Sequence, residues 1–237
     1  HGNFTDQEIG DADLRTVLDA AVRAPNASAR QSYSIVVIRD RERMKQLCGY
    51  EGSKALVFCV DYNRITAAAA HLGHPFSADG FVSFVTGTVD TILAAQTAAI
   101  AARSLDIDTL FTNGIHRGDM TRVYDLLNLP EVHCFPLIML VLGYTDQEPQ
   151  SLKGRLNGPG VVHWDTYHRL TTSELDDLVA QYDDPASHLG LNDAWREQGL
   201  AHYLDWFYTV WSNRGPPRKG KSQMLKLVEG SGFTDVD

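Results

Sequence analysis

Cysteine is scarce. Cys48, Cys59 and Cys134 are the only three in 237 residues, odd in number and without metal or redox spacing. A disulfide framework is therefore excluded as the support of the fold, and a reducing, cytoplasmic compartment is expected. Positive charge is also short: 21 Lys and Arg stand against 30 Asp and Glu, a formal net charge of −9. A sequence-independent nucleic-acid binder needs a basic stripe, so that class is excluded, although a local basic pocket is not. No apolar run approaches the ~20 residues of a membrane span, so no membrane partner is expected. Asp6, Glu8, Asp11 and Asp13 occupy the place of a signal peptide's apolar segment, and the chain opens at His1 rather than Met. There is no internal repeat.

The standard catalytic signatures are missing too. There is no Walker phosphate loop, no GxGxxG after a strand, no GxSxG elbow and no HExxH helix. His71-x-x-His74 stands beside Gly73 and Pro75, in what reads as a loop, and lacks a third ligand. A zinc site needs at least three protein ligands, so no metal is expected. Asp183-Asp184 precedes Pro185 and reads as a helix-ending loop, with no partner carboxylate for acid–base work.

What is present is an ordinary globular composition on a chain long enough to bury ~70–75% of its extended surface. Leu14, Val17, Leu18, Ala21 and Val22 mark an amphipathic helix with Asp11 as a candidate N-cap and Pro25 as its stop. Tyr33–Ile38, Ala55–Val60 and Phe135–Leu142 read as buried strands. Asp40–Leu47 and Asp119–Leu127 read as short helices, and Thr109–Phe111 leads into an Asn113-Gly114 turn. Val82–Leu105 is a helix apolar nearly all round, which belongs at a domain centre or a subunit interface. Beyond Tyr144, a Gly/Pro-rich and charged surface excursion runs to Trp164. Helices follow over Thr172–Gln181, Ala194–Trp211 and Ser222–Glu229, the middle one strongly aromatic. Helices and strands mix without strict βαβ alternation, which predicts an α+β fold with a mixed sheet.

One short motif has chemistry in it. Lys153-Gly154-Arg155 sits in a Gly/Pro-rich stretch of an acidic chain. Two cations at i and i+2 of an extended segment share a face and can reach one phosphate, Lys as a point charge and Arg as a fork. Spacing alone allows equally a solvated charge pair. Asn113-Gly114 is either a plain turn or a close approach of backbone N–H groups to a ligand.

Several segments resemble a known family. Arg23-Ala24-Pro25-Asn26-Ala27-Ser28-Ala29-Arg30-Gln31-Ser32-Tyr33 resembles the early loop and strand of the FMN-dependent nitroreductase family. Leu56–Arg64 looks like the strand and exit of its NADPH-preferring branch of oxygen-insensitive nitroreductases and flavin reductases. Val89-Asp90-Thr91, followed by Ala95-Gln96 and Ala101-Ala102, resembles that branch's central helix. Leu152-Lys153-Gly154-Arg155-Leu156, then Val162-His163 and Tyr167, is similar to its K-P-R-L-P and V-H-x-x-x-Y segment. The matches come in family order and span about residues 4 to 170.

The resemblance implies an FMN-binding nitroreductase-like domain over 1–170 and a helical C-terminal extension over 171–237 that wraps a partner subunit. It implies a homodimer with FMN at the interface. Electrons pass from NAD(P)H to a small electron-poor acceptor, such as a nitroaromatic or quinone, by a ping-pong hydride mechanism. No side chain need act as a catalytic acid, because the flavin carries the chemistry. By carry-over, Lys153 and Arg155 contact the phosphate or ribityl chain. Asn26, Ser28 and Gln31 line the ribityl and ring edge, and Asn113-Gly114 offers backbone N–H groups to the ring.

The basic segment Arg214, Arg218, Lys219 and Lys221 is either a holder for an NADPH 2′-phosphate or a solvated loop. His163, Tyr167 and the aromatic helix read as structural. The family's N-terminal arginine pair is missing before Phe4 or lies upstream of His1; Ala29 replaces an Asn, Asn157 a Pro and Asp106 a Gly. The Tyr50–Lys54 segment is shortened. Alternatives are an FMN-binding protein with little turnover, a flavin or enone reductase, and an interaction protein without flavin.

Overall fold

The two most apolar runs in the chain become the two central strands of one sheet. In the computed structural model, which describes residues 2–78, 80–147, 151–212 and 220–234, β1 (Tyr33–Ile38), β2 (Lys54–Asp61), β3 (Asp108–Thr112) and β4 (Cys134–Gly143) stand in the order β1-β2-β4-β3. Central strands are covered on both faces, so β2 and β4 read as continuous rather than alternating apolar runs. Val57 pairs with Val36 on one side and Met139 on the other. The register shifts at Phe58/Cys59, where Pro136 enters β4. A bulge there tolerates a residue with no N–H to donate.

The α+β class stands, but all three pairings are antiparallel, where a mixed sheet was expected. The long helical crossover from β2 to β3 does leave those two strands running the same way. β4 lies between them, so no parallel pair forms among the described residues. β3 itself, read only as the approach to a turn, is too short and too polar at its ends to announce a strand.

Helices cover both faces. α1 (Asp11–Val22) and α4 (Phe81–Ser104) lie on one face. Ala94, Ala95, Ala98, Ala99 and Ala102 pack there against Leu56, Phe58, Leu140 and Leu142. Small side chains let the helix axis come close to the strands. On the other face, Met44 and Leu47 of α2 (Arg41–Cys48) and Val123 of α5 (Thr121–Leu127) pack on Ala55, Val57, Met139 and Val141. Gly10 rather than Asp11 caps α1, without a side-chain bond. Asp40 is not the first residue of α2 but its N-cap, accepting from Arg43 N at 2.6 Å. α3 (Asn63–Leu72) was unforeseen, and it takes His71 out of the expected loop into a last helical turn.

α4 has two different faces. Gly87, Asp90, Thr91 and the alanines are buried. Val82, Val85, Val89, Ile92 and Ile100 form an exposed stripe at helical spacing, with Val82 66% and Ile100 62% exposed. By length and composition α4 could cross a membrane, contrary to the expectation from apolar runs: it has 24 residues and a mean hydropathy of 1.3 over its most apolar window. Its alanine face is instead built into the core beside the sheet.

The chain forms two compact units, residues 1–146 with 220–237 and residues 147–219. α9 (Gln223–Gly230), capped by Ser222, closes the first, with Phe233 buried beside Tyr62 and Phe84. The second holds α6 (Thr172–Asp183), α7 (Ala194–Glu197), α8 (Tyr203–Trp206) and a wide π-type turn over Phe207–Trp211. Thr171 and Glu174 cap α6 reciprocally. The single aromatic helix expected over Ala194–Trp211 is broken at Gly199, whose φ of +67° no helix accepts.

Candidate active site

β1 and β3 run in opposite directions, so the residues entering β1 and those leaving β3 lie at the same end of the sheet. Asp61–Arg64, leaving β2, lies there too.

The loop before β1 is strained. Ser28, Ala29 and Gln31 have φ of +53°, +55° and +49°, three non-glycine residues in the left-handed region within four positions. Each such residue costs about 1–3 kcal/mol and persists only where the surroundings impose it. Ala29, which stands where the family pattern has Asn, accepts this backbone less readily than Asn does.

What imposes it is visible. The Asp90 carboxylate of α4, 1% exposed, accepts from Ala27 N at 2.8 Å through Oδ1 and from Ser32 N at 3.2 Å through Oδ2. Gly87 lets α4 approach this closely, since a Cβ there would lie 2.6 Å from Val60 Cγ1 and 3.3 Å from the Ser32 carbonyl. From the start of α3, Arg64 donates to the carbonyls of Arg30, at 3.2 Å, and Gln31. Asp61 in turn accepts from Ser34 Oγ and from the backbone and side chain of Asn63.

The predicted ligand residues divide. Asn26 accepts from Gln31 N at 3.1 Å, and Gln31 Nε2 reaches Val22 O at 3.3 Å, so both shape the loop as well as lining it. Ser28 is exposed and its hydroxyl makes no hydrogen bond among the described residues. Ser32 Oγ is buried without a partner among the described residues. At the end of β3, Asn113 is exposed, and its carbonyl accepts from His116 N. Gly114 N–H is taken by Thr112 Oγ1 at 2.9 Å, and a Cβ at Gly114 would stand 2.4 Å from Cys48 O. This glycine serves close packing on α2.

In the second unit Lys153 Nζ donates to Gly190 O at 2.8 Å. Arg155 folds back on the carbonyls of Lys153 and Gly154 at 3.2 and 2.7 Å. Both cations are thus held by neutral carbonyls, which an anionic oxygen would attract more strongly by adding a full opposite charge. Gly154 donates to His188 O at 3.1 Å, and a Cβ would lie 1.9 Å from Ser187 O. The family pattern has Pro at this position; here the N–H is used and there is no room for a ring.

Other candidates settle into structural work. Asp183 accepts from Tyr203 N at 2.7 Å and from His202 at 2.6 Å, and the bond raises the His202 pKa. Asp184 caps the next turn. His163 and Tyr167 stack at 4.3 Å. Among the described residues no group of three or more His, Cys, Asp or Glu could hold a metal. Lys221 pairs with Glu229 at 2.6 Å, whereas Arg214, Arg218 and Lys219 lie outside the described residues. Reading the sequence missed what Asp90 and Arg64 do. The clue to Asp90 was a lone carboxylate in a helix otherwise apolar.

Fold and site together define an α+β protein with a helix-clad sheet and a strained, polar loop at one sheet end. Comparison with known proteins makes that specific. The sequence profile of the Nitroreductase family matches residues 3–144, well over half of the chain. "FMN reductase [NAD(P)H]" of Bacillus subtilis is 31% identical over 196 residues, which is 78% of this chain and 76% of the relative. "Oxygen-insensitive NADPH nitroreductase" of Salmonella typhimurium is 33% identical over 192 residues, 77% of this chain and 75% of the relative. The solved structure of NfrA1 nitroreductase from B. subtilis superposes with a TM-score of 0.82 at 26% identity, covering 99% of this chain and 95% of that one. The chain belongs to the Nitroreductase family and has its fold.

Proposed function

We infer that the chain is an FMN-dependent oxidoreductase that takes electrons from NAD(P)H and passes them to nitroaromatics, quinones or similar small electron-poor acceptors. The observation that carries this is the strained Asn26–Ser32 loop, inside the segment that matches the family profile and tied to its central helix. Such strain is a mark of ligand clamps. The residues suit the group: an exposed serine hydroxyl, two partly exposed amides and an orphan buried hydroxyl are donors and acceptors for a polyhydroxylated, ring-edged ligand. When bound, FMN supplies the two-electron redox chemistry, so the chain needs no triad or carboxylate pair.

Asn26, Ser28 and Gln31 are proposed to line the ribityl chain and ring edge, with Asn113 and the tight turn at Gly114 beside the ring. Lys153 and Arg155 are proposed to exchange their carbonyl partners for the phosphate. The homodimer is supported by the exposed apolar stripe of α4, a surface that a second copy of the chain would cover. Cytoplasmic residence is supported by three free, buried thiols.

The test is the visible spectrum of the purified protein before and after FMN is added, followed by NAD(P)H oxidation with a quinone or nitroarene. A bound flavin and acceptor-dependent oxidation are expected. No uptake at any FMN concentration defeats the reading. Uptake without oxidation leaves an FMN-binding protein with little turnover. Lys153→Ala/Arg155→Ala is expected to weaken FMN binding by roughly 100-fold, from two lost charge-assisted contacts. Full retention of flavin removes those two residues from the site.

A further inference from the structure

We propose that Asp90 and Arg64 are positioning residues that hold the Ala27–Ser32 loop in its ligand-ready conformation by gripping it with opposite charges from two sides. The proposal deepens the flavin reading and rests on it. It starts from a buried carboxylate that has no cation. Asp90 is 1% exposed, and no ion pair reaches it among the described residues. A buried charge is retained only where other groups compensate it. Here two main-chain N–H groups do so, one on each carboxylate oxygen.

Those donors are not neighbours. Ala27 and Ser32 bracket the loop, and between them lie all three left-handed residues, Ser28, Ala29 and Gln31. One rigid planar group therefore fixes both ends of the strained segment at once. Arg64 completes the grip with the opposite polarity. Its guanidinium takes the carbonyls of Arg30 and Gln31, inside the span that Asp90 brackets. The N–H groups face an anion and the C=O groups a cation, so the loop's peptide dipoles are oriented from both directions. Asn26 Oδ1 on Gln31 N adds a third tie from within.

A loop held this way loses little freedom when a ligand arrives, and a ligand that needs the strained shape does not have to supply it. Neither side chain need touch the ligand. Asp90 is spent on Ala27 and Ser32. Loss of the grip should therefore appear as weaker binding and a more mobile loop.

The experiment uses the full chain with FMN as probe. Flavin affinity is measured by fluorescence titration of the apoprotein, and amide hydrogen exchange is followed across residues 26–33, for wild type, Asp90→Asn, Asp90→Ala and Arg64→Met. Asp90→Ala is expected to weaken FMN by roughly 10- to 100-fold, the scale of hydrogen bonds to a charged group. Exchange at Ala27 and Ser32 should rise while exchange in β2 and β4 stays slow. Asp90→Asn keeps one acceptor oxygen and should recover part of the affinity. Arg64→Met, at an exposed position that does not threaten folding, should weaken FMN by roughly 3- to 10-fold. Unchanged exchange over the loop in Asp90→Ala and Arg64→Met overturns the proposal, as does a loosened loop with undiminished FMN affinity. If Asp90→Ala fails to fold, Asp90→Asn and Arg64→Met decide by the same two readings. If wild type takes up no flavin, the flavin reading falls, and loop exchange alone decides the grip.

Discussion

The two compact units are held together differently. Residues 1–146 with 220–237 bury three apolar clusters around a sheet. Among the described part of residues 147–219, only Trp195, Tyr203 and Trp206 are buried. Elsewhere that unit relies on particular polar devices: the Thr171/Glu174 capping box, the Asp183 bonds to His202 and Tyr203, and the Gly154 bond to His188. Burial in the first unit is redundant, because many residues each contribute and pattern alone specifies it. In the second, single hydrogen bonds and glycines carry the conformation. Large side chains are present, but Trp164, Tyr167 and Tyr208 among them stay exposed rather than packed.

The largest test of this contrast removes one core ring from each unit. Phe58→Ala, at a fully buried site in β2, should cost about 3–5 kcal/mol in denaturant unfolding. Trp206→Ala, in a three-residue cluster with half-exposed neighbours, should cost less, about 1–3 kcal/mol, because the gap can fill with water or collapse. An equal loss at Trp206 would erase the distinction.

Next come the glycines. Gly114→Ala drives a methyl into Cys48 O and should cost about 1–3 kcal/mol of global stability. Gly154→Pro removes the N–H bonded to His188 O and crowds Ser187. It is expected to leave the unfolding of the sheet unit unchanged while lowering FMN affinity by about tenfold through misplacement of Lys153, the worth of one charge-assisted contact. A shift of the main unfolding transition would contradict it.

The smallest expected effect is on acid stability. Bonds from Lys54, Arg41 and Ser53 hold Glu8 down to about 2, and the Thr171 backbone with His168 holds Glu174 down to about 2, against an ordinary 4.5. A depressed carboxyl stabilises the fold fully above its unfolded pKa and loses that contribution as pH falls towards its folded one. Stability should therefore decline between about pH 4.5 and 2, and only modestly, since Glu8 is exposed and Glu174 partly so. Glu8→Gln should flatten that slope in the sheet unit, and Glu174→Gln should flatten it in the helical one. Unfolding followed from pH 5 to 2 reads both.

Legibility followed the same division. β1 was read at its observed limits, while β2, β4 and α4 fell within a residue or two of theirs, because apolar runs and periods report burial directly. β3 and α3 were missed, one short and polar-ended, the other an alanine run whose helical period was hidden by small side chains. The helix over Ala194–Trp211 was overdrawn, since an aromatic pattern does not show a left-handed glycine. Of the site, the loop and the Lys153/Arg155 pair were legible as residue types, but Gly114's N–H proved to be spent on Thr112. Asp106, replacing a family Gly, keeps the left-handed backbone at φ +56°, a conformation Asp tolerates.

The sequence by itself determined the class, the sheet's central strands, the family resemblance and the excess of acid over base. These are local or additive properties that each segment carries alone. Only the tertiary structure decided that α4 buries one face and bares the other, that the four described strands pair antiparallel throughout, and that Asp90 and Arg64 close on one loop from opposite sides. Those facts depend on residues far apart in the chain meeting in space, 63 positions apart for Ala27 and Asp90, and no local pattern records that encounter.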